Sequence, residues 1–392
     1  MSNAINQPEV EGLGKWFVIR NLLITFALLY VFLVGVECLS KGIKGIGGGE
    51  DFFAAFGDQG NPVLGLLVGI LTTTLVQSSS VTTALIVGLV AAGKITVTGA
   101  VPMIMGANIG TTVTNTIAAL AHMTRSTEFK RAFAAATCHD FFNFLSVLFL
   151  LPLELITRAI WGRGMLESMS LHMVEWTMGA KASTASTYES PIKKGIKAGY
   201  KVVNNTIEEL FGSDGNTAKY ILAVCGMMII FVALSGVVKT MRALVMARME
   251  RYLNRFLGSG GFFGIIIGII LTILVQSSSI TTSVLVPLAG AGMVTLQQIF
   301  PITIGANIGT TVTAMLASFA VDEGAFEARQ IAFVHLFFNL VGTAVFFVPK
   351  FTRQISINMA TWMAEFATEK RKWAVVYVMA IFYLLPAGIF FL

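Results

Sequence analysis

The sequence predicts an all-α polytopic membrane protein, built from two inverted structural repeats whose broken or re-entrant helices meet at the bilayer midplane. Three observations lead to this prediction. Hydrophobic residues make up 55% of the 392 residues and charged residues only 12%, about half of what a soluble domain carries. Apolar segments long enough to cross a bilayer recur along the chain. The two halves of the chain also share long motifs.

The apolar segments divide the chain into five regions. The polar tail 1–15 is predicted to be cytoplasmic, and the apolar run after it is too long for a signal peptide, so it is interpreted as the first membrane helix. Transmembrane repeats are predicted at 16–155 and 219–350, joined by an interfacial segment and polar connector at 156–218. The region 351–392 provides a further connector and a final helix. The apolar blocks are roughly 16–36, 62–92, 97–121, 132–155, 219–247, 261–291, 296–320, 330–349 and 373–392.

The repeat is visible as a direct alignment of the chain with itself. Residues 65–114 align without a gap on 264–313, with 27 of 50 positions identical. The motif Gln-Ser-Ser-Ser occurs in both copies, at Gln77, Ser78, Ser79 and Ser80 and at Gln276, Ser277, Ser278 and Ser279. Each copy lies in the middle of an apolar block that is longer than a ~30 Å hydrocarbon core requires. The helix is therefore predicted to break at each motif.

Charge indicates that the two repeats have opposite orientations. The loop 37–58, after the first helix, contains Glu37, Glu50, Asp51 and Asp58 against two lysines. The matching junction 239–255 is basic, with Lys239, Arg242, Arg248, Arg251 and Arg255. Basic junctions stay in the cytoplasm, so equivalent ends of the repeats are predicted to face opposite sides. Transporters commonly use this arrangement, with the substrate at the midplane between the repeats.

The polar motifs offer a narrow range of chemistry. Hydroxyls and carboxamides can donate to an anion and can also present oxygen to a cation, and helix N-termini at a break add partial positive charge. No lysine or arginine lies within the first block before Lys94. An unpaired anion at the midplane would be costly, so the residue types favour cation-coupled symport of an anion. Serines that bond the preceding turn, or that let helices pack closely, are the alternative interpretation.

The second shared motif, Gly-Ala-Asn-Ile-Gly-Thr-Thr-Val-Thr, begins at Gly106 and again at Gly305. Its amide and hydroxyl groups are hard oxygen donors suited to Na⁺, and in the first copy the candidate ligands are Asn108, Thr111 and Thr114. A packing stripe of small residues is the alternative explanation for this motif.

Asp140 lies inside an apolar helix, and its counterpart in the second half is Leu336. An intramembrane acid is a functional hypothesis by default, and Asp140 is interpreted as a ligand for one additional Na⁺. The alternative is a carboxylate near the interface that pairs with Lys130 or Arg131. The neighbouring His139, which has a matched histidine in the second half, is interpreted as structural.

The paired motifs, followed by Ala-Thr-Cys-His-Asp-Phe-Phe-Asn, resemble the type II sodium-dependent phosphate cotransporter family, over both repeats. The resemblance implies a transporter and not an enzyme: Na⁺-coupled, electrogenic symport of inorganic phosphate, in its divalent form, into the cell. It implies no cofactor beyond Na⁺ as the coupling ion and no transition metal. The short connector without cysteine is similar to bacterial members, which implies an inner (plasma) membrane location.

The resemblance also implies roles for single residues. Both Gln-Ser-Ser-Ser motifs would form the phosphate and sodium site. One sodium site would use Gln276, Ser277, Thr310 and Thr313, and another would use Asp140, Asn143 and Asn307. The family often has serine where this chain has Ala306, which leaves the role of that hydroxyl open.

Other function classes remain as alternatives. A symporter for another small oxyanion would use the same donors, and a membrane scaffold or receptor would not need polar midplane motifs. An intramembrane hydrolase would combine a Ser79 nucleophile with His139 and Asp140, although no nucleophile-elbow motif is present. Nucleic acid is not an expected partner, because the basic residues are scattered among membrane junctions. The expected partners are phosphate, sodium and the lipid bilayer, and a homo-oligomer is compatible with the sequence.

Overall fold

The computed structural model describes residues 14–46, 60–179, 191–212, 216–256 and 261–388, with side chains left out at 243 and 245–256. Most of the predicted N-terminal tail lies outside this range. The same holds for charged side chains that the topology prediction uses, namely Glu50, Asp51, Asp58, Arg248, Arg251 and Arg255.

The described chain is helical throughout, and none of its described ranges contains a strand. The first half contains α1 (Lys15–Gly45), α2 (Pro62–Val76), α3 (Ser79–Ala91), α4 (Val97–Thr111), α5 (Val113–Leu120), α6 (Ser126–Trp161) and α7 (Met165–Met178). The connector contains α8 (Pro191–Phe211). The second half contains α9 (Asn216–Phe256), α10 (Phe262–Val275), α11 (Ser278–Ser283), α12 (Leu285–Gly290), α13 (Leu296–Ala320), α14 (Ala325–Phe346) and α15 (Lys350–Glu369). The final helix comprises α16 (Lys372–Met379), a π-helical turn (Ala380–Leu384) and α17 (Leu385–Ala387).

Several of these helices are long and apolar enough to cross a membrane. They are Lys15–Gly45, Ser126–Trp161, Asn216–Arg242, Leu296–Ala320 and Ala325–Phe346. Shorter apolar helices, α2, α3, α10 and the α11–α12 pair, accompany them in both halves. The chain is therefore an all-α, multi-pass membrane protein, as the sequence predicts.

The first helices of the two halves pack against each other in opposite directions. Thr25 Oγ1 of α1 lies 3.0 Å from Thr240 Oγ1 of α9. Further along α1, a Cβ placed on Gly42 would lie 2.5 Å from the backbone nitrogen of Ala223. Later positions in α1 thus meet earlier positions in α9, so the two helices are antiparallel.

The contacts between α1 and α9 are reciprocal. A Cβ on Gly35 would lie 2.8 Å from Ile229 Cγ2, and a Cβ on Gly236 would lie 2.9 Å from Leu28 Cδ1. Gly236 is the counterpart of Gly35 in the repeat, and Ile229 is the counterpart of Leu28. A contact whose two sides exchange in this way is what a local two-fold axis produces.

Both halves also use the same close helix crossing. A Cβ on Gly69 of α2 would lie 2.1 Å from the carbonyl oxygen of Met103 in α4. In the second half a Cβ on Gly268 of α10 would lie 2.0 Å from the carbonyl oxygen of Ile302 in α13. Small residues at these crossings let the backbones touch, which is the usual packing of membrane helices.

The helices that end each half pack against the other half. Gln330 of α14 donates to the carbonyl of Glu167 in α7 (3.2 Å). Lys130 of α6 donates to Glu365 of α15 (2.9 Å). The two halves therefore exchange their last helices and form one bundle.

The predicted polar connector contains a helix of 21 residues, α8, which the sequence analysis did not predict. Its apolar residues recur at helical spacing, and Ile196 and Ile207 are buried. Tyr30 of α1 donates to the carbonyl of Gly195 (2.9 Å), which places α8 along α1.

An ion-pair cluster joins α8 and α1 to the loop between α13 and α14. Glu323 in this loop pairs with Lys41 and Lys44 of α1, and these two lysines lower the pKa of the Glu323 carboxyl to about 2. The adjacent Asp322 pairs with two lysines of α8. The cluster fixes one end of the bundle.

Candidate functional site

The helix breaks that the sequence predicts occur at the two glutamines. In the described part of the chain, positive φ outside glycine occurs at Gln77 (φ 58°, ψ 25°) and Gln276 (φ 54°, ψ 29°). A left-handed conformation is unfavourable for a side chain without special polar contacts, and such residues cluster at functional sites. Both breaks therefore have the same unusual geometry.

The serine after each glutamine starts the next helix. Ser78 is extended and its Oγ accepts from Val81 N at 3.3 Å, and Ser277 does the same with Ile280 N at 3.3 Å. The first N–H groups of α3 and α11 have no partner within their own helices, so they face the break. A helix N-terminus carries partial positive charge and is suited to an anion.

Each glutamine side chain connects three segments. Its amide nitrogen donates to the carbonyl three residues earlier, at 2.5 Å for Gln77 and 2.7 Å for Gln276. Its amide oxygen accepts from the last threonine of the second motif, Thr114 at 3.0 Å or Thr313 at 2.9 Å. The two shared motifs of each half are thus joined by one side chain.

The breaks of the two halves meet. Ser80 Oγ donates to the carbonyl oxygen of Gln276 at 3.5 Å and lies 3.4 Å from Thr313 Oγ1. Ser79, Ser80 and Ser278 are buried. The structure therefore brings both Gln-Ser-Ser-Ser motifs into one polar site.

The site is not equally accessible from its two halves. Gln276 is 7% exposed and Thr313 is 1% exposed. Of their counterparts in the first half, Gln77 is exposed and Thr114 is half-buried. The hydrogen bond between Gln276 and Thr313 is therefore buried inside the protein, whereas the hydrogen bond between Gln77 and Thr114 lies at the surface.

A network of amides extends from the site. Asn307 Nδ2 donates to Asn143 Oδ1 (2.8 Å), and Asn143 Nδ2 donates to the carbonyl of Asn108 (2.8 Å). Asn307 Oδ1 lies 2.7 Å from His139 Nε2, and Asn115 Nδ2 lies 3.3 Å from His139 Nδ1. An amide oxygen at Nε2 and an amide NH₂ at Nδ1 assign a neutral imidazole that carries its proton on Nε2.

The neutral, fully bonded imidazole argues against the hydrolase alternative. A general base must accept a proton from its nucleophile, but both ring nitrogens of His139 are engaged by Asn115 and Asn307. Asp140, which would orient the base, bonds other residues. Ser79, His139 and Asp140 therefore do not form a relay.

Asp140 is completely buried, at 0% exposure. Its Oδ2 accepts from Thr116 (3.1 Å) and from the phenol of Tyr377 in the final helix (2.8 Å). Lys130, the predicted alternative partner, pairs instead with Glu365. Asp140 is therefore a buried carboxylate held by hydroxyls, and the interface pairing with Lys130 is wrong.

The structure joins some of the predicted site residues and separates others. Thr111 and Thr310 each donate to a carbonyl one turn earlier in their own helices, at 2.9 and 3.0 Å. Asp140 and Asn143 lie three positions apart on α6, and Asn307 of α13 bonds Asn143. Across the described ranges no hydrogen bond links Asp140 to Asn143 or Asn307.

Sequence reasoning missed Asn115, Thr116, Thr282 and Tyr377. Thr282 donates to Asn115 Oδ1 (2.9 Å), so Asn115 connects both halves. The signal was available, because Asn115 follows the identical block directly and its counterpart is the apolar Ala314. Tyr377 lies beyond the repeat, and no pattern in the sequence marks it.

Known proteins are similar to this chain over most of its length. A profile of the Na⁺/Pi-cotransporter family matches residues 31–175 and 229–368. Sodium-dependent phosphate transport protein 2B of Homo sapiens is 32% identical over 97% of this chain and 65% of its own length. Protein 2A of Ovis aries is 34% identical over 93% of the chain, and protein 2A of Rattus norvegicus is 33% identical over 92%. The chain spans 65–66% of the length of these relatives. No solved structure matches it.

Proposed function

Because the chain belongs to the Na⁺/Pi-cotransporter family, we propose that it is a secondary active transporter, which carries inorganic phosphate into the cell with Na⁺ as the coupling ion. The observation that carries the proposal is the meeting of the two helix breaks, where Ser80 contacts the carbonyl of Gln276. Unwound backbone at membrane depth is tolerated only where it is buried in protein or lines a water-filled cavity. The names of the relatives, sodium-dependent phosphate transport proteins, support the same substrate and ion.

Phosphate is proposed to bind between the breaks, at Gln77, Ser78, Ser79 and Ser80 and at Gln276, Ser277, Ser278 and Ser279. Serine hydroxyls and the open N–H groups of α3 and α11 are donors for its oxygens. No lysine or arginine contacts these residues in the hydrogen bonds of the described chain. Bound Na⁺ therefore supplies the positive charge that a buried anion needs.

Sodium is proposed to bind to oxygen atoms of the two shared motifs and of α6. One group comprises Gln276, Ser277, Thr310 and Thr313, and the equivalent donors in the first half are Asn108, Thr111 and Thr114. Asp140, Asn143 and Asn307 form a second group. Asp140 is proposed to bind one additional Na⁺, and the charge of that transported ion makes symport of divalent phosphate electrogenic.

The first experiment measures phosphate binding to the purified protein in detergent. We expect the affinity for labelled phosphate to be about tenfold or more higher in sodium chloride than in choline chloride, because coupled ligands commonly change each other's affinity by such factors. Parallel samples contain unlabelled arsenate or sulfate as competitors of labelled phosphate, which tests whether another oxyanion is the substrate. Equal affinity in both salts would refute the coupling.

The fold of the transport unit is proposed to be an inverted repeat, with the repeats at 16–155 and 219–350 and the protein in the inner (plasma) membrane of a bacterial cell. The antiparallel, reciprocal packing of α1 and α9 supports this, since equivalent helices run in opposite directions. The exchange of α7 and α15 between the halves supports it as well.

Topology is tested by labelling single cysteines from one side of the membrane. With Cys38, Cys138 and Cys225 replaced, a cysteine in the segment 47–58, which follows α1, is expected to react with an impermeant reagent on intact cells. A cysteine next to Arg251 is expected to react only after permeabilisation, because the basic junction is cytoplasmic. Labelling of both positions from the same side would contradict the inverted arrangement.

A further inference from the structure

The final helix lies outside the repeat, yet it contacts Asp140, a fully buried acid of α6. Tyr377 Oη donates to Asp140 Oδ2 at 2.8 Å. Thr116 completes the pair of donors on this oxygen at 3.1 Å. Two donors from different helices thus fix the orientation of the carboxylate.

The final helix is anchored so that the tyrosine stays in place. The Tyr377 ring packs edge-on against Phe133 of α6, with centroids 6.3 Å apart. The π-helical turn that follows directs Phe382, which is 0% exposed, against Phe144 of α6. Pro386 lacks the N–H that a regular helix would use at this point, which explains the change of pitch. Such turns are often found next to functional sites.

We propose that Tyr377 is a positioning residue for Na⁺ binding, acting through Asp140. The inference rests on the proposed function, in which Asp140 binds a sodium ion. The phenol holds the carboxylate in one orientation before the ion arrives, so that less ordering is needed when it binds. Charge-assisted hydrogen bonds of this kind are stronger than neutral ones. The helix outside the repeat thus completes a site that exists in one half only, since Leu336 replaces Asp140 in the other.

The experiment measures Na⁺ binding without phosphate, as the midpoint Na⁺ concentration for thermal stabilisation of the purified full chain, with choline at constant ionic strength. Tyr377→Phe keeps the ring and its aromatic contacts and removes the hydroxyl. We expect its midpoint to rise about tenfold, the loss that one charge-assisted hydrogen bond predicts. Tyr383→Phe is the matched control, because it removes a phenol hydroxyl from the same helix, and its midpoint is expected to stay within about twofold of wild type.

A double-mutant cycle separates positioning from a general structural effect. In the Asp140→Asn background, Tyr377→Phe is expected to change the remaining Na⁺ midpoint by less than about twofold, because the carboxylate through which it acts is gone. An unchanged midpoint in the single variant, or the same shift in both backgrounds, would overturn the proposal.

The same samples distinguish failure of this inference from failure of the proposed function. If Na⁺ stabilises the wild-type protein but phosphate binding is independent of Na⁺, the coupling proposal fails and the cycle still reports on Tyr377 and Asp140. If Na⁺ does not stabilise the wild-type protein more than choline, the site does not bind Na⁺ and the positioning role is overturned with it.

Discussion

Replacement of Gln276 by glycine or alanine is expected to reduce Na⁺-dependent phosphate uptake about a hundredfold or more. The side chain joins the end of α10 to Thr313 and shapes the break where Ser80 approaches. Loss of two hydrogen bonds at a site for charged ligands corresponds to this factor. Glycine adopts the left-handed conformation of Gln276 without strain, so it removes the side chain and keeps the backbone. Uptake into proteoliposomes at equal protein content measures the effect.

The matched control is Gln354→Ala, which removes an exposed glutamine whose amide bonds Asn358 on the same helix. This variant is expected to transport at the wild-type rate. If Gln276→Gly transported normally while Gln276→Ala did not, the break geometry alone would matter, and the side chain would not belong to the binding site.

The second large effect concerns charge movement. Asp140→Gly is expected to lower the net charge carried per phosphate by one, because the carboxylate that binds one Na⁺ is absent. Some phosphate uptake survives, since the Gln-Ser-Ser-Ser site is intact. Asp140→Asn keeps the shape and one oxygen donor and loses the charge, so it is expected to give the same ratio. Current and phosphate flux are measured together on one preparation.

A purely structural role of Asp140 gives a different result. The buried carboxylate holds the final helix through Tyr377, so its loss would lower thermal stability and leave the charge-to-phosphate ratio of the folded fraction unchanged. An unchanged ratio in Asp140→Gly would mean that this carboxylate does not bind a transported ion.

The repeat and its breaks could be predicted because local chemistry determines them. Four polar residues in the middle of an apolar block are costly in lipid unless they find partners, and both copies break at the glutamine. The meeting of Ser80 with Gln276 is consistent with the repeat, since equivalent breaks in the two halves can face each other across the interface between them.

Contacts that depend on tertiary packing could not be predicted. Tyr377 reaches Asp140 because the final helix packs along α6, and nothing near Tyr377 in the sequence indicates where that helix docks. The connector helix α8 was not predicted, because its lysines interrupt the apolar pattern and make the helical spacing of Ile196 and Ile207 difficult to recognise in the sequence. Asn115, in contrast, could have been predicted from the sequence. Its counterpart Ala314 is apolar, as the counterpart of Asp140 is, and a comparison of the two halves beyond the identical block would have shown this difference.

Na⁺-coupled phosphate transport by this chain is tested by uptake of labelled phosphate into proteoliposomes. Vesicles with the purified chain are diluted into sodium or potassium buffer, so that each cation gradient is inward and equal. We expect phosphate accumulation to be about tenfold or more faster with Na⁺, a difference within the range of coupling between bound ligands. We expect this accumulation to be abolished when an ionophore dissipates the Na⁺ gradient. Equal uptake with Na⁺ and K⁺, or no uptake with either, would contradict Na⁺-coupled phosphate transport by this chain.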